Sequence, residues 1–409
     1  MTDFITRIEP WIDNRELDGL KRVVDSTYVV EHNLTKEFEE MICEMTGSKY
    51  AVAMTNGTAA LFCCLKALGI GEGDEVIVPN ITFIASANAV IMTGATPVLC
   101  EIDKETICID MQEAEKCVTE RTKAIMPVHL YGQSADMDTI CAFAKKHNIK
   151  VIEDAAQGVG VLYKQQHVGT FGDLGILSFY GNKTITCGEG GVVLTDDEEL
   201  RNACYRLKNH GRDGKGTFKH YHIGYNFCFT EMQAAIGISQ LKKLPDIIAR
   251  KKEIHDLYYD RLSFLSSSFI PLKDVEHCTP VHWFTSFICE QKKEMIEHLK
   301  KNKIQSREFF YPLNAQPCYN DEIIKYGKYK LSMDIFNRGI SLPSAYNLSE
   351  ENQLKVIDIV EDFLNFIKDS DLIIHNSKFD FPFINYEIES INNKSFSPLK
   401  NKIVDTLSL

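Results

Sequence analysis

A single lysine stands in an unusual place in this chain of 409 residues. Lys183 follows the apolar run 174–179 and precedes the glycine-rich stretch 188–191, so it lies in a polar turn between two predicted strands. A lysine amine held in such a turn can bind a carbonyl compound covalently and can move a proton. The alternative is an ordinary surface lysine beside glycines that only form turns.

A carboxylate comes before this lysine in the chain. Asp154 ends the apolar run 150–154, and open parallel sheets bind their ligands at the carboxyl ends of their strands. A carboxylate there could pair with a protonated ring nitrogen, as the chemistry of pyridoxal phosphate (PLP) requires, because its charge keeps the pyridine able to accept electrons. The alternative is a helix N-cap, a role open to any aspartate between a strand and a helix.

Small residues open an apolar helix further upstream, in the sequence Asn56-Gly57-Thr58. Backbone amides at a helix N-terminus bind phosphate, and glycine permits close approach of the backbone. Taken alone, this motif is better explained as a helix cap. Together with Lys183 and Asp154, it forms a set that would provide a phosphate site, a partner for a ring nitrogen and a reactive amine.

The elements that must position these residues follow an alternating pattern. Short apolar runs alternate with segments of helical period, which predicts a largely parallel sheet covered by helices on both faces. The predicted strands are 75–79, 96–101, 123–128, 150–154, 174–179 and 191–194, and the predicted helices are 58–68, 84–92, 137–146 and 197–207. A long helix is expected over 232–262, with Pro245 as a break or restart near its middle.

Composition excludes several classes of protein. With 44% hydrophobic and 25% charged residues, the chain has the balance of a globular protein. The formal charge of −12 comes from scattered acidic residues, which argues against nucleic acid or an anionic membrane as a partner. The absence of an export signal and of a membrane-spanning apolar run predicts a cytoplasmic protein. Its 13 cysteines show no metal-type pairing, so reduced cysteines and no metal site are expected.

These motifs, in this order, resemble the DegT/DnrJ/EryC1/StrS family of sugar-nucleotide aminotransferases. Further matches are 71–75, 129–133, 168–173, 209–212 and 224–226, so that the resemblance runs from about residue 8 to about residue 365. It implies an α/β protein of the PLP-dependent transferase type I (aspartate aminotransferase) fold, in which a large domain with a mostly parallel sheet is joined to a smaller α+β domain.

The resemblance also implies roles around the ring of PLP. Lys183 would be the Schiff-base lysine and the base that moves the proton, and Asp154 would pair with the ring nitrogen. Gln157 would contact the ring hydroxyl, and Phe83 would stack on the ring face. Without the family, Phe83 would be read as an ordinary core aromatic residue.

At the phosphate end, the resemblance implies that Gly57, Thr58 and Ser178 hold the cofactor of their own chain. Asn226 would reach the phosphate of a neighbouring subunit, which predicts a homodimer with shared active sites. Lysine stands at position 183, where similar sugar dehydratases have histidine, so amino transfer is favoured over dehydration.

Within the family, the segments 179–186 and 309–312 resemble the perosamine synthases, which aminate C4 of a 4-keto-6-deoxyhexose nucleotide with glutamate. Tyr311 and Asn314 are therefore the predicted substrate residues. Asparagine replaces the histidine that such enzymes often have at position 314, which leaves open the identity of the hexose and the choice between C4 and C3. A binding protein that keeps the fold without the activity is the alternative from another class, and the intact Lys183, Asp154 and Gln157 argue against it.

Three divisions of the chain are predicted. Residues 1–245 would form the PLP-binding domain, 246–367 the small domain, and 368–409 a tail. The stretch 371–387 in the tail resembles the second motif of DnaQ-type exonucleases. Because the motifs that complete the two-metal site of such nucleases are missing, Asp380 could be at most one lone ligand, and the tail is predicted to be non-catalytic. A nucleic-acid role completed by another chain is the alternative.

Overall fold

The computed structural model describes residues 4–214, 218–320 and 329–368, together with the short strands 373–374 and 404–405. The helices are α1 Asn14–Ser26, α2 Asn33–Thr46, α3 Gly57–Ala67, α4 Ala85–Met92, α5 Met111–Cys117, α6 Met137–His147, α7 Glu198–Lys208, α8 Glu231–Leu262, α9 Lys292–Lys301, α10 Leu331–Arg338 and α11 Glu350–Lys368. The strands are β1 Tyr50–Met54, β2 Glu75–Pro79, β3 Thr96–Cys100, β4 Thr122–Ile125, β5 Lys150–Asp154, β6 Leu162–Tyr163, β7 Gln166–His167, β8 Leu174–Ser178, β9 Gly191–Thr195, β10 Phe269–Pro271, β11 Cys278–Thr279, β12 Thr285–Cys289, β13 Arg307–Glu308, β14 Gly339–Leu342, β15 Ile373–Ile374 and β16 Val404–Asp405.

Seven strands form the large sheet, in the order β1-β9-β8-β5-β4-β2-β3. Strand β9 is antiparallel to both of its neighbours, and the pairs among β8, β5, β4, β2 and β3 are parallel. The prediction of a largely parallel sheet is therefore confirmed. Strand β1 was not among the predicted strands, because its sequence Tyr-Ala-Val-Ala-Met has few β-branched residues.

Helices bury both faces of this sheet. On one face, Phe38 of α2, Ile140 of α6 and Ile238 of α8 pack in a core with strand residues. On the other face, α3, α4 and α7 contribute Leu61, Val90 and Cys204 to a second core. Burial on both faces explains why the strands are almost continuously apolar in sequence.

Helix α8 runs without interruption for 32 residues, so the predicted break at Pro245 is wrong. The helix begins at a capping box in which Thr230 and Gln233 satisfy each other's backbone amides. A proline costs about 3 kcal/mol in a helix interior. Burial of the helix on both sides of the proline offsets that cost, since Ile238 lies in a core of the large sheet and Tyr258 in the core of the second sheet.

The second sheet is antiparallel, in the order β10-β12-β14-β13. Its core joins the end of α8 to α9 and α11 through residues such as Phe287, Leu299 and Val360. A third, small sheet pairs β11 with the β6–β7 hairpin. Helix α8 passes through the predicted boundary between residues 245 and 246, and the division into domains stays a prediction.

The ends of the chain contribute less to this architecture. Near the start, Ile5 forms a parallel bridge with Ile304. Strands β15 and β16 pair in parallel, and the remainder of the exonuclease-like segment lies outside the described residues. Within the described ranges, no helix is both long enough and apolar enough to cross a membrane, and the cysteines form no disulfide.

Candidate active site

The predicted site residues meet at the carboxyl end of the large sheet. Strand β5 ends at Asp154 and the neighbouring β8 ends at Ser178, while the turn after β1 leads into α3 at Gly57. Strands of one direction present their carboxyl ends on the same edge of a sheet. Side chains that are far apart in sequence therefore converge there.

Helix α3 begins beside Ser178. The side chain of Asn56 caps the helix by accepting a hydrogen bond from the amide of Ala59 at 2.9 Å. The amides of Gly57 and Thr58, in the first turn, have no acceptor within the helix. A Cβ added to Gly57 would lie 3.2 Å from Cβ of Ser178, so a larger residue would fill the space between the helix end and the serine.

The glycines after Lys183 have a packing role. A Cβ added to Gly191 would come within 2.4 Å of the backbone carbon of Asn56, which leaves no room for any other residue. Gly191 starts β9 and pairs with Met54 at the end of β1. The glycine-rich stretch thus lets β9 pass directly beneath the start of α3.

Lys183 lies in a turn closed by a hydrogen bond from its amide to the carbonyl of Tyr180 at 2.9 Å. Its Nζ is 4.8 Å from the ring centre of Trp283, and its side chain is half-buried. Desolvation lowers the pKa of this amine to about 8, against an opposing effect of the Asp154 carboxylate and with a further lowering by Arg307. The alternative of an ordinary solvated lysine does not fit this environment.

Asp154 is buried and accepts two hydrogen bonds. The hydroxyl of Ser86 donates to Oδ2 at 2.7 Å, and the amide of Ala156 donates to Oδ1 at 3.1 Å. Thr82 lies 3.0 Å from Ser86 through their hydroxyl oxygens. Each carboxylate oxygen has two lone pairs, so Asp154 can accept a further bond from a ligand.

Gln157 connects this site to an aromatic group. Its Oε1 accepts a hydrogen bond from the amide of Tyr131 at 2.8 Å, and the hydroxyl of Tyr131 accepts one from the amide of Phe310 at 2.9 Å. Phe83 lies 6.0 Å from Phe310 between ring centres and is 54% exposed. Phe83 is therefore not a core residue, and its ring is accessible to a stacking ligand.

Asn226 lies on an exposed segment next to the start of α3. Its backbone bridges to that of Asn209, and the next residue, Phe227, accepts a hydrogen bond from the amide of Thr55 at 3.0 Å. The segment thus borders the start of α3 and leaves the Asn226 side chain exposed.

The two predicted substrate residues differ in their surroundings. Asn314 pairs with Asn80: Nδ2 of Asn80 donates to Oδ1 of Asn314 at 2.9 Å, and the backbone amide of Asn314 donates to Oδ1 of Asn80 at 3.0 Å. Tyr311 is 40% exposed and meets the ring of Phe336 edge-on. Asn314 is therefore held in one orientation, whereas Tyr311 is open to solvent.

Sequence reasoning missed three contributors. Ser86 hydrogen-bonds Asp154, and Trp283 lies beside Lys183 while its Nε1 donates to the carbonyl of Asn182 at 2.7 Å. Arg307 also lies over the ring of Trp283, with its Cζ 4.6 Å from the ring centre. In the sequence, only the aromatic stretch 282–284 pointed to one of these residues, because the N–H of a buried tryptophan usually has a hydrogen-bond partner.

This set of groups fits PLP. Free amides at the N-terminus of α3 and the Ser178 hydroxyl suit a phosphate. The Asp154 carboxylate suits a ring cation, and the Lys183 amine has a lowered pKa. An α/β fold with these groups at the edge of its sheet defines a site for a phosphorylated carbonyl cofactor.

The model of the DegT/DnrJ/EryC1/StrS aminotransferase family matches residues 10–361, and the chain belongs to this family. The GDP-perosamine synthase of Escherichia coli O157:H7 is 40% identical over 364 residues, which cover 88% of this chain and 98% of that protein. DesV of S. venezuelae, solved with a ketimine intermediate, is 32% identical, with a TM-score of 0.83 over 88% of this chain and 99% of that one.

The Streptococcus pneumoniae protein Spr1654, assigned as a sugar aminotransferase and solved in its PLP form, is 28% identical. It has a TM-score of 0.83 and covers 89% of this chain and 99% of its own. The expected type I fold is thereby confirmed, and the chain is a PLP-dependent sugar aminotransferase.

Proposed function

We propose that this enzyme moves the amino group of an amino acid, by expectation glutamate, to C4 of a 4-keto-6-deoxyhexose nucleotide. The observation that carries the proposal is the amine of Lys183, which burial makes a usable base beside the Asp154 carboxylate. The relatives named as GDP-perosamine synthases support the sugar class. The proposed location is the cytoplasm.

The pKa of Lys183 determines how much base is available. With a pKa of about 8, roughly one amine in ten is neutral at pH 7, against about one in three thousand for an ordinary lysine. Lys183 would take the proton from the α-carbon of the donor and later deliver one to the sugar carbon that receives the amine. PLP, when bound, supplies the electron sink for both half-reactions.

The other proposed contacts follow from the geometry of the site. Asp154 would hold the proton of the ring nitrogen, with Ser86 fixing the orientation of the carboxylate. Gln157 would contact the ring hydroxyl, and Phe83 would stack on the ring. Gly57, Thr58 and Ser178 would bind the phosphate, and Tyr311 and Asn314 would contact the sugar nucleotide.

A homodimer with shared sites is part of the proposal. The residues before Asn226 include Phe218 at 91%, Tyr221 at 74% and Ile223 at 87% exposed, a run of exposed large apolar side chains that leads in sequence to Asn226. Large exposed apolar residues in sequence are typical of an interface between proteins. A second copy covering them would bring its own Asn226 to this phosphate site.

The decisive experiment is a panel of 4-keto and 3-keto sugar nucleotides with glutamate and with other amino acids, read by the mass of the product. A product carrying an amine at C4 is expected. Amination at C3 would favour the alternative that the Asn314 substitution leaves open. A protein that binds PLP yet converts no substrate would overturn the proposal and favour a binding role.

A further inference from the structure

Arg307 is a cation for which the roles above give no use. Its guanidinium carbon lies 4.6 Å from the ring centre of Trp283 and 5.1 Å from those of Phe284 and Phe310. Among the described residues, no carboxylate and no other hydrogen-bond acceptor contacts it. The side chain is half-buried on strand β13, at the edge of the second sheet.

An unpaired arginine in such a position is costly. Desolvation lowers the pKa of Arg307; Tyr131 opposes this effect in part, and the nearby charge of Arg7 lowers the pKa further. Contact with aromatic rings offsets only part of the cost of removing a guanidinium from water. A charge kept at this cost, with no partner in the described part of the chain, has the character of a ligand-binding group.

The shape of the contact favours a carboxylate as the ligand. The three rings around Arg307 offer no oxygen or nitrogen acceptor from a carboxylate or carbonyl, so the N–H groups of the guanidinium remain available to a ligand. Two parallel N–H groups along one edge of a guanidinium match the two oxygens of a carboxylate. Water is partly excluded by the rings, which strengthens such a charged pair.

The position of Arg307 indicates which carboxylate. Arg307 and Lys183 lie over the same ring, at 4.6 and 4.8 Å from the centre of Trp283. In an amino acid, the α-carboxylate is bonded to the carbon that loses its proton, so it must bind close to Lys183. The diphosphate of a sugar nucleotide is separated from its C4 by the hexose ring and must bind farther away.

We propose that Arg307 binds the α-carboxylate of the amino donor. The proposal rests on the aminotransfer proposed above and adds a residue that selects the first substrate. Because the sugar nucleotide has no carboxylate at its reacting carbon, Arg307 acts in the donor half-reaction alone. Binding of the donor also neutralises a charge that lowers the pKa of Lys183.

The test compares Arg307→Gln with the wild-type holoenzyme in each half-reaction separately, followed by absorbance. We expect the glutamate concentration at half-saturation to rise on the order of 10²-fold, as for loss of one partner of a desolvated charge pair. Arg307→Lys keeps the charge but not the two parallel N–H groups, so its glutamate concentration at half-saturation should lie between those of wild type and Arg307→Gln. Arg261→Gln is the matched control, since Arg261 forms an exposed pair with Glu361.

A change in the donor distinguishes carboxylate recognition from a structural effect. Wild-type enzyme should prefer glutamate over its α-amide, isoglutamine, on the order of 10²-fold, and Arg307→Gln should lose that preference. Binding of GDP should be the same in both proteins. If wild-type enzyme reacted with no amino acid, the proposed function itself would be wrong.

Two results would overturn the assignment of Arg307 while leaving the proposed function intact. One is a variant that keeps the full preference for glutamate over isoglutamine. The other is weaker binding of GDP with an unchanged donor half-reaction, which would assign Arg307 to the diphosphate of the nucleotide.

Discussion

Two buried regions meet at the carboxyl end of β5 and differ in how far the protein satisfies its own polar groups. On one side, Glu153 accepts hydrogen bonds from the amides of Gly169, Phe171 and Gly172 at 2.6 to 2.7 Å. It also lies 2.9 Å from Nε2 of His129. Since a backbone amide donates to Nδ1 of this histidine, Nε2 carries the proton and donates to the carboxylate. We call these five residues the Glu153 cluster.

On the other side, the next residue, Asp154, faces polar groups whose hydrogen-bonding capacity the described residues leave partly unused. Asp154 accepts from Ser86 and from one backbone amide, and the amine of Lys183 has only the charge of Asp154 to favour its protonated form. Arg307 has no acidic partner among the described residues. Successive residues of a strand point to opposite faces, so one register step separates the two regions.

Two lysines, the half-buried Lys183 and the buried Lys208, show the same difference. Burial lowers the pKa of Lys208, but Glu39 and Glu31 more than reverse this effect and raise the pKa overall. The nearest of these oxygens, Oε2 of Glu31, is 2.9 Å from Nζ, and the carbonyl of Ala53 accepts at 2.8 Å. Burial alone therefore does not indicate function in this protein: Lys208 is buried and paired with carboxylates, whereas Lys183 forms no ion pair among the described residues.

The largest effect is expected from the two lysines. Lys183→Ala should lower turnover by about 10³-fold or more, because it removes both the covalent attachment and the base. Lys208→Met should instead keep borohydride-trappable cofactor on Lys183 while lowering the free energy of unfolding by about 3 kcal/mol, because it leaves the half-buried carboxylates of Glu31 and Glu39 without their cation. Full turnover of Lys183→Ala would remove the basis of the comparison.

The adjacent carboxylates of Asp154 and Glu153 should differ in the same way, one affecting catalysis and the other stability. Asp154→Asn should keep PLP bound but slow transamination on the order of 10²-fold, because an amide cannot hold the ring proton by charge. Glu153→Gln should cost about 3 kcal/mol of unfolding free energy, because its amide group faces donors. Single-turnover kinetics and denaturant titration measure the two effects, and unchanged kinetics in Asp154→Asn would leave Asp154 as a helix cap.

A smaller effect is expected in the pH dependence of stability after PLP is removed. The folded-state pKa of Lys183, about 8, lies below the ordinary lysine pKa of 10.5, so between these values the unfolded chain binds more protons. Lys183 should therefore make the free energy of unfolding rise with pH across this window, by at most about 1.4 kcal/mol per unit. The difference in this slope between wild type and Lys183→Met isolates the contribution of Lys183 from that of Lys251, whose pKa is also lowered. Equal slopes in the two proteins would contradict the lowered pKa of Lys183.

The smallest effect is expected from the part of the chain beyond both regions. Deleting residues 369–409 should leave PLP binding and aminotransfer nearly unchanged, because the predicted site lies wholly before this segment and a fragment of about forty residues is too small to bury a core alone. The deletion should also remove no nuclease activity. A truncated protein that stays folded and dimeric but loses aminotransfer would show that the tail belongs to the active site.

The sequence by itself determined the strand-and-helix alternation, the parallel sheet and the family. Lys183, Asp154 and the Asn56-Gly57-Thr58 motif stood out because each lies at a predicted strand end or helix start, where local sequence controls position. The continuity of α8 through Pro245 was not visible, because burial along the whole helix outweighs one local break.

Only the tertiary structure decided which groups stay unsatisfied. Ser86 reaches Asp154 across 68 positions of sequence, and Arg307 and Lys183 lie over the ring of one tryptophan, which comes from a third segment. Local periodicity carries no information on such contacts, and an arginine near aromatic residues reads as an ordinary surface residue. Hydrogen bonding and desolvation depend on what the fold brings together, so the difference between Glu153 and Asp154 appears only in three dimensions.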